Sequence, residues 1–106
     1  MNIQFTARHF HASSELQESV HQQVRKLEKY YHNITDAFIV LDAEKERLRR
    51  VELKMNIYDK SVSAKAEESN MHKALDAVFT RMSRQLKREN QKLKNHRSPS
   101  MAEAVH

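Results

Sequence analysis

Cysteine is absent from this chain of 106 residues, so no disulfide framework and no cysteine-held zinc can exist, and nothing points to an oxidising compartment. Glycine is absent too. That removes the phosphate-cradling loops and the nucleophile elbow, both of which need glycine where the backbone turns sharply or approaches a ligand. It also obliges any tight hairpin to place another residue at positive φ, or to use a wider loop. The single proline, Pro99, lies near the C-terminus and disfavours helix at Ser98. The longest strictly apolar run, Ala37 to Leu41, has five residues and falls far short of the roughly 20 that span a bilayer. Met1 to Arg8 lack the continuous apolar stretch of an export signal, so a cytoplasmic, membrane-free protein is expected.

What is present is a foldable sequence with an uneven charge. Apolar residues make up 39% of the chain and are spread along it, which separates it from a disordered polyelectrolyte even though 31% of residues are charged. The length suits one domain. Residues 1–69 carry 11 basic and 11 acidic side chains, residues 70–97 carry 8 and 2, and residues 98–106 carry only Glu103. The net charge of +5 therefore resides in one segment, the footprint of a polyanion-binding surface.

The pattern of apolar residues predicts six elements. Ile3, Phe5 and Ala7 alternate with Gln4, Thr6 and Arg8, the period of a half-buried strand. Ser13 or Ser14 can cap a helix in which Leu16, Val20, Val24, Leu27 and Tyr31 form one stripe, closed at Asn33. Thr35 to Glu44 reads as a strand around Phe38-Ile39-Val40-Leu41, and Lys45 to Arg50 as a charged connection. Val51, Leu53, Met55 and Ile57, then Val62, Ala64 and Ala66, mark two more strands joined at Asp59-Lys60. Asn70 can cap a final helix whose stripe comprises Met71, Leu75, Val78, Met82, Leu86 and Leu93. The expected fold is α+β: a β-α-β-β-β-α two-layer sandwich, a four-stranded sheet with two helices on one face. It occupies residues 1–97 as a single domain, followed by a short flexible tail over 98–106.

On the final helix Lys73, Arg84, Lys87 and Arg88 lie opposite the apolar stripe, with Arg81 and Lys92 on one shoulder. The first helix adds Arg25, Lys26 and Lys29 near its C-terminal end. With both helices on one face of the sheet, the two sets can form one basic layer that meets several phosphates together. An ordinary exposed helix mixes charges of both signs; here eight positive residues meet only Asp76 and Glu89, leaving a repulsion that a polyanion relieves. Other sites are weaker. His9 and His11 share one face of an extended segment but lack a third ligand, so no metal is expected. His72 beside Lys73 lacks a second acid or base for ribonuclease chemistry, and no catalytic set is expected. Tyr30 and Tyr31 could stack on bases, but Tyr31 continues the core stripe and Tyr30 suits its edge, so both read as structural, as do Met55, Met71 and Met82.

Several motifs carry a resemblance. Lys26-Leu27-Glu28-Lys29-Tyr30, Asn70-Met71, Ala74-Leu75-Asp76 and Arg81-Met82-Ser83-Arg84-Gln85-Leu86 resemble the ribosome hibernation promoting factor family, also called ribosome-associated inhibitor or ribosomal subunit interface proteins. The likeness covers roughly residues 1–96 and departs from the family at His72, where tyrosine is common, and at the glycine-free hairpin. It implies a fold similar to a double-stranded-RNA-binding domain and a partner, the small ribosomal subunit and its rRNA within the whole ribosome. Occupying the mRNA and tRNA channel there blocks initiation and stabilises idle ribosomes. It also implies that Arg25, Lys26, Lys29, Lys73, Arg81, Arg84, Lys87, Arg88 and Lys92 contact rRNA, with no cofactor and no small-molecule substrate. The length matches the short family form, which works with a separate ribosome modulation factor to pair ribosomes. Two other readings compete: a general double-stranded-RNA-binding module and an adaptor for an acidic protein partner. The former domains begin with the helix and cluster lysines at the start of their last helix, where only Lys73 is found.

Overall fold

The alternation in Asn2–Arg8 does produce a strand, β1, whose Ile3, Phe5 and Ala7 turn inward while Gln4, Thr6 and Arg8 stay exposed. The computed structural model describes the backbone of residues 1–105 and the side chains of residues 1–94. After β1 come α1 (Ser14–Lys26), a 3₁₀ helix (Leu27–Lys29), β2 (Asp36–Lys45), β3 (Leu48–Ile57), β4 (Lys60–Glu68) and α2 (Met71–Val105). The β-α-β-β-β-α order expected from the sequence is the order found.

The strands form one sheet in the order β1-β2-β3-β4, with β1 parallel to β2 and the other pairs antiparallel. Register aligns the apolar residues row by row: Phe5, Ile39, Leu53 and Ala64 lie side by side, as do Ala7, Leu41, Val51 and Ala66. Strand side chains alternate between faces, so all of these project to one side. Val20 and Val24 of α1 and Val78, Met82 and Leu86 of α2 share one core with them, which puts both helices on that side. Ile39, Leu41, Val51, Leu53 and Met55 are fully buried, and no polar or charged residue is buried among the described residues. Both expected caps form: Ser13 Oγ accepts from the Leu16 N–H at 3.1 Å, and Asn70 Oδ1 accepts from the His72 N–H at 2.7 Å.

Four boundaries differ from expectation. The first helix gives way at Lys26 rather than Asn33, because the bonds tighten from i−4 to i−3 acceptors, as with the Tyr30 N–H on the Leu27 carbonyl. Tyr31 reaches the core all the same, at 3% exposure. The charged stretch from Lys45 to Arg50 is mostly strand, with Glu46-Arg47 alone turning between the paired Lys45 and Leu48. Arg49 makes this possible by donating from Nη1 to the carbonyls of Lys45 and Glu46, at 2.9 and 3.2 Å. The β3–β4 hairpin turns at Tyr58-Asp59, one residue earlier than Asp59-Lys60, since Ile57 pairs with Lys60. Asp59 takes the left-handed conformation, φ 64°, that a glycine would otherwise adopt. Finally, the backbone of α2 continues past Pro99 to Val105, although a proline inside a helix lacks the N–H for its i−4 bond and crowds the carbonyl four residues back. The side chains of residues 95–106, and with them the expected tail, lie outside the described residues. Among the described residues no helix is long and apolar enough to cross a membrane.

Candidate nucleic-acid interface

The basic residues singled out by periodicity all reach the surface: Arg25, Lys26, Lys29, Lys73, Arg81, Arg84, Lys87, Arg88 and Lys92 are exposed. Burial of Val78, Met82 and Leu86 fixes the rotation of α2, and so turns Arg84, Lys87 and Arg88 away from the sheet. Lys73 sits at the start of the helix, about 28 Å from Lys92 at 1.5 Å per residue, so the stripe is long and narrow.

The two helices' charges meet at Tyr30. The Lys29 ammonium lies 5.0 Å from the centroid of the Tyr30 ring, and the Lys87 ammonium, from α2, lies 4.8 Å from it. Two like charges gathered at one ring repel each other; the ring's negative face offsets this by about 0.5–1 kcal/mol per contact at an exposed site. Lys26 and Lys29 also rim a groove that Phe79, Thr80 and Ser83 close from the α2 side. Lys26 and Lys29 thus lie beside the middle of α2.

Two members of the basic set have other partners. Arg81 Nη1 donates to the Lys65 carbonyl on the outer edge of β4. Lys92 lies 3.2 Å from Glu89, which also holds Lys60 at 2.8 Å. Those lysines keep the Glu89 carboxyl below the ordinary value, Lys60 contributing most, against an opposing push from partial burial. Gln85, one turn beyond Arg81, donates to the Ser63 carbonyl at 2.7 Å. Together Arg81 and Gln85 cover the β4 edge, a role for Gln85 that periodicity does not reveal.

The opposite face of the sheet has a different electrostatic character. Arg8, Asp42, Arg50 and Glu67 stand side by side across the four strands, alternating in sign, and Glu52 faces Lys65. Arg50 and Glu67 are 3.3 Å apart. Charge there is balanced, whereas along α2 the basic residues far outnumber Asp76 and Glu89.

His9 does not join His11. Its Nδ1 lies 2.9 Å from Asp42 Oδ1, and Glu44 completes a set whose ligand atoms fall within 4.8 Å of one another, a grouping able to hold a cation. The hydrogen bond from His9 is the main reason the Asp42 carboxyl titrates below its usual range. Tyr31 is pushed the other way, upward, by burial. Tyr30, set aside as structural in the sequence, is the residue that links the two basic sets; its sequence signal is its place at the end of the motif Lys26-Leu27-Glu28-Lys29-Tyr30.

The fold is thus a four-stranded α+β sandwich with an exposed basic stripe along α2 and a smaller basic set at the end of α1. The sequence profile of the family described as Sigma 54 modulation protein / S30EA ribosomal protein matches residues 3–94, and the chain belongs to that family. It is similar to the ribosome hibernation promoting factor of Salmonella typhimurium, with 29% identity over 91% of this chain and 100% of that one. The factor of the same name from Escherichia coli K12 is 28% identical over the same shares. Among solved structures, the fold matches a ribosomal subunit interface protein from Coxiella burnetii with a TM-score of 0.78, at 20% identity over 86% of this chain and 99% of that one. The N-terminal domain of Thermus thermophilus Protein Y matches with a TM-score of 0.76, at 22% identity over 83% and 98%.

Proposed function

We propose that this chain is a ribosome hibernation factor that docks its helical face on the rRNA of the small subunit. It occupies the channel used by mRNA and tRNA, blocks initiation and keeps idle ribosomes intact in the cytoplasm. The observation that carries the reading is the meeting of Lys29 and Lys87 at Tyr30, which joins two basic sets into one surface. The charge-balanced opposite face supports the same orientation, because a polyanion is attracted to only one side. The names of the relatives, ribosome hibernation promoting factor, support the biological setting. The mode of action is binding: steric and electrostatic competition, without a catalytic step. Pairing of ribosomes with the help of a separate modulation factor belongs to the same proposal.

Co-sedimentation with isolated small subunits and with whole ribosomes tests it, comparing the wild type with the Arg84→Ala, Lys87→Ala, Arg88→Ala triple variant. Loss of co-migration by a still-folded variant is expected. Failure of the wild type to co-migrate at low salt sinks the ribosome reading; nuclease-resistant, salt-sensitive binding to an acidic protein would then favour an adaptor.

A further inference from the structure

A shallow groove, open to solvent, runs between the end of α1 and the middle of α2, with a volume of about 250 Å³ and a mixed lining that includes Gln23 and Leu27. Lys26 and Lys29 are exposed at its rim, while Tyr30 and Phe79 are half-buried within it. Ser83 and Thr80 complete the α2 wall, and Ser83 Oγ donates to the Thr80 carbonyl at 2.8 Å. That bond occupies the serine proton and leaves its oxygen lone pairs free to accept.

A phosphate ridge would use the lysines of this groove and leave its aromatic surfaces in water. A paired base is no better suited, since its faces are covered by its neighbours in the stack. An unpaired base attached to its own phosphates suits both parts of the lining: its flanking anions draw off the Lys29 and Lys87 ammoniums that lie 5.0 and 4.8 Å from the Tyr30 ring centroid, its π-face takes their place against Tyr30 and Phe79, and its N–H groups donate to Ser83. We propose that the groove takes one unpaired nucleotide of the bound RNA, so that the interface reads an extruded base as well as a run of phosphates. This inference rests on the RNA-binding reading above and narrows it to RNA surfaces that offer a bulged or looped-out residue.

The test uses two labelled probes, a short perfectly paired RNA duplex and the same duplex carrying one bulged uridine, in direct titrations with the full chain. Base–aromatic stacking predicts roughly tenfold tighter binding of the bulged probe. Tyr30→Leu, which keeps apolar bulk and loses the π-face, should bring that ratio close to one. Ser83→Phe, which fills the groove and leaves Tyr30 in place, should do the same, so that a folding defect in either variant does not decide the matter. Equal binding of both probes by the wild type, a preference that survives both substitutions, or no binding of either probe at low salt overturns the inference. Small-subunit co-sedimentation is read in parallel. A bulge preference without co-sedimentation leaves the groove standing and removes the ribosome reading; co-sedimentation without a bulge preference does the reverse.

Discussion

Lys60, the first residue of β4, places its ammonium 2.8 Å from the carboxylate of Glu89 on α2, tying the β3–β4 hairpin to the helix that carries the basic stripe. The acid's side chain is only 13% exposed, so this pair is less screened than an ordinary surface contact.

The pair makes stability depend on pH in a defined direction. Glu89 is held below the usual 4.5, and a depressed carboxyl contributes stability above its unfolded value and loses it as pH falls through its folded one. Glu89→Gln should therefore lower the unfolding free energy by about 1 kcal/mol at neutral pH. The gap between variant and wild type should close below 4.5, as urea melts across that range will show.

Salt dependence should rank the basic residues. Removing one phosphate-binding cation makes the slope of log K against log salt shallower by about 1. Arg84→Ala, Lys87→Ala and Arg88→Ala should each show that change in binding to small subunits. Lys92→Ala should show less, because Glu89 already neutralises much of its charge.

The β4 edge offers a prediction separable from RNA binding. Gln85→Leu removes the donor to the Ser63 carbonyl without changing charge. It should cost about 1 kcal/mol of stability. The uncovered edge should also promote self-association, visible by sedimentation velocity, while the salt slope stays as in the wild type.

The hairpin without glycine can be tested at Asp59, which sits at φ 64°. A β-branched residue tolerates that region poorly, so Asp59→Val should destabilise the fold by about 1–2 kcal/mol. Asp59→Gly fits the same backbone and should not. Thermal melts of the two variants discriminate directly.

Much of this architecture was legible because burial leaves a periodic trace. Val51, Leu53, Met55 and Ile57 alternate in the sequence and are buried in the structure, and Val78, Met82 and Leu86 step along α2 as the stripe requires. The rotation of α2 follows from that stripe, and with it the exposure of Arg84, Lys87 and Arg88. What the sequence hid does not repeat with a fixed period. The strands reach into Lys45 and Leu48 through charged residues satisfied by cross-strand and backbone partners, such as Arg50 with Glu67, so the apolar alternation stops before the strands do. The meeting of Lys29 and Lys87 at Tyr30, the His9–Asp42 pair and the Gln85–Ser63 bond each join segments distant in the chain, and only packing brings them together.

The parallel pairing of β1 with β2 also orders the events of folding. The β2–β3 and β3–β4 hairpins each close across two residues, Glu46-Arg47 and Tyr58-Asp59, and need no distant segment to form. Asn2 must find Asp36 across the whole of α1, and loop-closure entropy rises with that separation. The three-stranded meander is thus the natural nucleus, against which α2 condenses, and β1 is recruited late. On the reverse path β1 should be the first strand to detach, so hydrogen exchange is expected to reach its amides ahead of those in β3 while the basic stripe on α2 stays folded.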